Sequence, residues 1–172
     1  GEHLNKKYKA YFFLFIGLLG SFITLLGLWM LPSQIYFVIG SSLLLLTSIY
    51  FKLTYFIALE MILIAGHGLI LLNIGSVLQF ALPVLLCLQL LVFYFLSSQL
   101  NNIYIVIGIV GIAMLSIGFA YENEWIFFIG SASVAVYAFF LSQQNRVSLL
   151  WVWLNTLFAV IAIVRISMAH LT

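Results

Sequence analysis

Apolar residues run through this chain in seven blocks, and polar residues gather in the breaks between them. The blocks cover residues 11–31, 34–51, 53–73, 77–98, 103–121, 125–142 and 147–168. Each is close to the roughly 20 residues that an α-helix needs to cross a bilayer. Strong breaks fall at Pro32 with Ser33, at Ser97, Ser98 and Gln99 with Asn101 and Asn102, at Glu122-Asn123-Glu124, and at Gln143 to Arg146. The breaks at Lys52 and at 73–76 are softer. The pattern predicts an all-α, polytopic membrane protein, with residues 1–172 forming a single membrane domain of seven spans. No residues are left over for a soluble domain, and the loops are too short to form a catalytic lid.

Composition sharpens this. The chain is 66% hydrophobic and 6% charged, with 17% aromatic residues. A soluble domain carries roughly 25% charged residues, so 6% could not cover a surface facing water. The net charge of +2 comes from scattered basic residues, which gives no footprint for nucleic acid. Cys87 is the lone cysteine, so no intrachain disulfide is expected. The first block is too long for the core of a cleavable leader and lacks a small-residue cleavage site.

The placing of charge predicts orientation. Lys6, Lys7 and Lys9 precede the first span, Lys52 joins the second to the third, and Arg146 joins the sixth to the seventh. With seven spans all five fall on one side, which the positive-inside rule makes the cytoplasm. Glu122 and Glu124 fall on the other side, with Trp29 and Trp125 at the depth of the aromatic belt. The expected topology is N-terminus in, C-terminus out. A six-span reading would scatter these charges over both faces. Arg165, near the outer end, is expected to snorkel to headgroups.

An internal repeat lies beneath the hydropathy. Ile16-Gly17-Leu18-Leu19-Gly20 matches Ile107-Gly108-Ile109-Val110-Gly111 at an offset of 91, and the 35–41 run, IYFVIGS, matches 125–131, WIFFIGS, at 90. The glycines carry the weight, because glycine at a crossing lets helix backbones approach closely. Unrelated packing glycines are the blander explanation. Extended, the alignment makes 11–73 and 103–168 two parallel three-helix repeats joined by a linker helix at 77–98. With a few residues inserted in the second loop, it also sets Glu60 opposite Asn155, each near mid-membrane on the third helix of its triplet.

Glu60 is the only acidic residue inside any apolar block. At that depth an ionisable group costs at least about 2.5–3.5 kcal/mol, so it normally faces a bundle interior or a wet cavity. His67 follows seven residues later, and seven steps of about 100° return to nearly the same helix face. A substrate or proton role for Glu60 competes with a structural hydrogen bond between helices. His67 competes with an interfacial histidine. Trp151 and Asn155, four apart, share a face and could form a binding wall, one ring stacking and one amide hydrogen-bonding; an aromatic belt is the alternative for Trp151 and Trp153. Gln89 and Tyr137 either reach a cavity or staple helices. One Glu, one His and a lone Cys within the spans do not make a metal-ligand set, and no cofactor is expected.

The plan of three helices, a linker and three more resembles the SWEET sugar transporters and the Pnu vitamin transporters. Asn155 on the last helix, Trp151 and Trp153 just before it, and Pro32 with Gln34 in the first loop carry the likeness. In Pnu proteins tryptophans and an asparagine on the last helices help bind substrates of the nicotinamide-riboside type. SWEET-like proteins often carry an asparagine on both third helices, and Glu60 stands here for one of that pair. The resemblance implies a transporter or facilitator of a small polar metabolite, working by alternating access about a mid-membrane site. Together with the buried-group candidates above, the expected substrate-binding residues are Glu60, His67, Gln89, Tyr137, Trp151 and Asn155.

Two other classes remain. A membrane-embedded enzyme acting on lipid needs a nucleophile or a paired acid and base, and one carboxylate with a distant histidine is thin for that. A sensor or assembly subunit would need no transport site. Membrane lipid and a small molecule are the expected partners, with a homo-oligomer left open and nucleic acid not expected.

Overall fold

A computed structural model describes all residues, 1–172. Seven α-helices follow one another: α1 (Glu2–Leu26), α2 (Ser33–Tyr50), α3 (Thr54–Leu71), α4 (Ser76–Leu96), α5 (Ile103–Tyr121), α6 (Glu124–Ser142) and α7 (Leu149–Leu171). A short 3-10 turn, Arg146–Ser148, leads into the last, and there is no strand. Every helix is long and apolar enough to cross a membrane. The all-helical, seven-span expectation holds at that level.

α1 departs most from the hydropathy reading, because it starts at Glu2 and ends at Leu26 rather than spanning 11–31. Lys6, Lys7 and Lys9 are good helix formers that extend the helix beyond its apolar block. At the far end Pro32 biases the residue before it away from helical geometry, and the chain leaves the helix at Gly27.

Four of the helix ends, at two soft and two strong breaks, turn on a residue other than glycine. Lys52, Asn73, Ser98 and Glu122 all take positive φ, between 50° and 58°. Each lies in a closing turn held by a backbone bond from the following residue to a carbonyl five positions back, as in Leu53 N–H to Ser48 O, 2.9 Å, and Gln99 N–H to Tyr94 O, 2.8 Å. At the opposite ends, Asn102, Asn123 and Asn145 accept backbone N–H bonds as N-caps.

The chain divides into two compact units, Gly1–Gly68 and Leu69–Thr172. In the first, α1 and α2 form a hairpin that crosses at Gly20 and Gly40. A Cβ at Gly20 would stand 2.7 Å from the Gly40 carbonyl, and one at Gly40 would strike the Thr24 side chain. Thr47 Oγ1 donates to the Phe13 carbonyl across the hairpin, 2.8 Å. Phe13 stacks on Tyr50, with centroids 4.2 Å apart and planes 9° apart.

In the second unit, α5 and α6 cross at Gly111 and Gly130. A Cβ at Gly111 would stand 2.8 Å from Ser133 Cβ, and one at Gly130 would strike the backbone of Leu115. Tyr104 stacks on Phe140, 4.7 Å and 12°. Phe119, Phe127 and Phe158 tie α5, α6 and α7 into one aromatic cluster. α4 turns Pro83, Cys87 and Tyr94 inward, and Tyr121 Oη donates to the Ser76 carbonyl, 2.6 Å, joining α5 to the start of α4.

The two hairpins keep one register. From 34 to 50 and from 124 to 140, buried, half-buried and exposed positions follow in the same order. Gly20 and Gly111 are 91 apart, Gly40 and Gly130 are 90 apart, and the stacked pairs, Phe13 with Tyr50 and Tyr104 with Phe140, keep the same two offsets.

Candidate functional site

The polar groups of interest sit on the third and last helices. On α3, Glu60 and His67 are both 2% exposed. The seven-residue spacing therefore brings both to one buried face, which also carries Phe56 and Leu63. The His67 ring lies 4.9 Å from that of Phe37 on α2, tilted by 35°. The imidazole is thus an interior group held against an aromatic ring.

On α7 the alternation of Trp151, Trp153 and Asn155 splits them as helix geometry requires. Trp151 and Asn155 are buried, whereas Trp153 is 68% exposed. Asn155 Nδ2 donates to the Trp151 carbonyl, 3.0 Å, one turn back. That bond fixes the amide, and its Oδ1, also buried, accepts no hydrogen bond from the protein. Asn155 thus has one acceptor available for a donor. The buried hydroxyl of Ser148, at the entry to α7, is likewise without a protein partner.

Tyr137 on α6 is buried, and its ring covers Gly108 so closely that a Cβ there would stand 2.7 Å from it. Gln89 lies on the exposed face of α4, about 200° around the helix from the buried Cys87. Glu60 and His67 thus belong to the first unit, and Gln89, Tyr137, Trp151 and Asn155 to the second.

One expectation needs correcting. Arg165 does not reach for headgroups alone: its Nη1 pairs with Glu124 Oε1 at 3.3 Å, both side chains about one-third exposed. Glu124 opens α6, where the helix dipole favours a negative charge, and the cation on α7 balances it. The two residues stand 41 apart in sequence, so hydropathy could not pair them.

A groove of about 450 Å³ on the second unit escaped the sequence reading. Tyr104, Gln143 and Thr156 supply its polar atoms, among apolar neighbours that include Val136, Phe139 and Val152. Its residues come from three helices, so no local pattern announces it. No three His, Cys, Asp or Glu side chains gather where they could hold a metal ion.

Compared with known families, characterised proteins and solved structures, the chain matches none. Its function must therefore be argued from its own residues. Glu60 and Asn155 are the two groups whose chemistry and burial call for explanation. With about five residues inserted between α6 and α7, which moves the offset from 90 to 95, the alignment pairs Phe56 with Trp151, Leu59 with Leu154, Glu60 with Asn155 and Leu63 with Phe158, and all eight are buried.

Proposed function

We propose that this chain is an integral membrane transporter or facilitator of a small polar metabolite, built from two parallel three-helix repeats, α1–α3 and α5–α7, with α4 as linker. The observation that carries the reading is the shared register of the two hairpins: the same glycine crossing, the same stacked aromatic pair and the same order of burial at offsets of 91 and 90. Duplicated helix bundles of this kind are the framework of alternating-access carriers, which hold substrate near the midplane. A buried carboxylate, Glu60, and a buried carboxamide, Asn155, at matched positions supply polar groups for such a substrate. Trp151 flanks Asn155 one turn away, and the resemblance to Pnu and SWEET proteins favours a flat-ringed vitamin or nucleoside, or a sugar.

The basic residues Lys6, Lys7, Lys9, Lys52 and Arg146 favour an N-terminus in the cytoplasm and a C-terminus on the opposite side. The chain carries no phosphate-binding loop, so a gradient or downstream consumption of the solute drives uptake.

Reconstitution into proteoliposomes tests the reading. A panel of nucleosides, B-vitamins and sugars is offered, and uptake and thermal shift are both recorded. Saturable uptake of at least one solute, lowered about tenfold or more in Glu60→Gln, is the expected result. No uptake and no thermal shift across the panel would sink it.

A further inference from the structure

α4 presents a stripe to its surroundings whose chemistry does not suit lipid alone. Leu78, Leu82, Leu85, Gln89, Val92 and Leu96 recur at spacings of four and three, the heptad rhythm of a helix seam. Leu85, Val92 and Leu96 are 56%, 54% and 75% exposed, Leu78 and Gln89 are exposed too, and Leu82 is half-buried. The opposite face of α4, through Pro83, Cys87 and Tyr94, is the one turned inward.

Gln89 is three residues, about 4.5 Å of rise, from the middle of a 21-residue helix. Its amide makes no hydrogen bond to any other residue of the chain. In hydrocarbon there is no water to satisfy it, and an unmet amide at that depth is costly. A carboxamide both donates and accepts, so the group that completes it most simply is another carboxamide. Copies inserted in the same orientation place their α4 helices parallel. Across a two-fold axis the two Gln89 side chains can then bond reciprocally, while leucines and valine pack above and below. A single polar side chain in a seam of this kind fixes register and partner number.

We infer that α4 is a self-association helix, and that a second copy of this chain occupies its exposed face in a parallel two-fold dimer keyed by Gln89. The inference stands apart from the proposed transport role, since none of it depends on Glu60 or Asn155.

The test uses the full chain in liposomes on a Cys87→Ala background. Leu85→Cys and Val92→Cys lie on the seam, while Val160→Cys, exposed on α7, is the control. Under mild oxidation the seam cysteines should cross-link at least about fivefold more than the control. Gln89→Leu should raise the dissociation constant about tenfold, as expected for losing interhelical side-chain bonds, and Gln89→Asn should keep most of the affinity. Helix content by circular dichroism should not change, because the position is exposed. Seam cross-linking no stronger than the control, or a dimer indifferent to Gln89→Leu, overturns the inference. So does a chain that stays monomeric at every protein-to-lipid ratio, which would leave lipid as the occupant.

Discussion

Glu60 and Asn155 differ in what their removal should reveal. Asn155 spends its donor on the Trp151 carbonyl and keeps an acceptor unused in the interior. Replacing a buried polar group by an apolar one of similar shape is nearly neutral or stabilising when no partner is left stranded. Asn155→Leu should therefore leave stability unchanged or raise it by up to about 1 kcal/mol, while abolishing uptake of solutes that donate a hydrogen bond. Thermal melts and uptake on the same preparation check both halves. A melt lowered by many degrees would mark Asn155 as structural. For Glu60→Gln the shape is kept, so a tenfold loss of uptake with an unchanged melt separates a chemical role from packing. The seven-residue spacing of Glu60 and His67 was legible from sequence because helix geometry is local. The Arg165–Glu124 pair was not, because it depends on how α6 and α7 meet.

At the level of elements, the helices were legible because lipid demands length and apolarity, and both are written in composition. Their ends were less so. Lys52 and Asn73 take the left-handed turn without the usual glycine, so those two soft breaks are poorly advertised, whereas the polar runs at 97–99 and 122–124 announce theirs. The crossings were partly legible, since paired glycines leave a signature, while Tyr137 covering Gly108 and the groove near Gln143 arise from three-dimensional packing. The crossings also predict which glycines matter. Gly40→Ala and Gly130→Ala should each cost about 1–3 kcal/mol, because the new methyl meets a neighbouring helix. Gly68→Ala meets nothing within 4 Å and should stabilise α3 by about 0.5–1 kcal/mol. Denaturant or thermal unfolding in detergent ranks the three, and an order with Gly68→Ala lowest would contradict the packing described.

For the whole molecule the decisive quantity is the placement of its few charges. In the topology proposed above, five cations fall on one side of the membrane and the acids Glu122 and Glu124 on the other. On a Cys87→Ala background, Glu122→Cys should react with a membrane-impermeant maleimide in intact cells. Asn145→Cys should react only after the membrane is opened. Reversed labelling would invert the topology and with it the direction of transport proposed.

The two hairpins share a register but not a connection. α5 passes to α6 through Glu122 and Asn123 alone, the one left-handed and the other capping the next helix. α1 reaches α2 through residues 27–32. Both connections are nevertheless held: the Leu28, Trp29 and Met30 amides donate to carbonyls in the last turn of α1, and those of Glu122 and Asn123 donate to the Gly118 carbonyl. Neither hairpin then carries a slack hinge, and each should move as one piece. Amide exchange at 28–30 should accordingly be slowed to within about tenfold of that at 122–123.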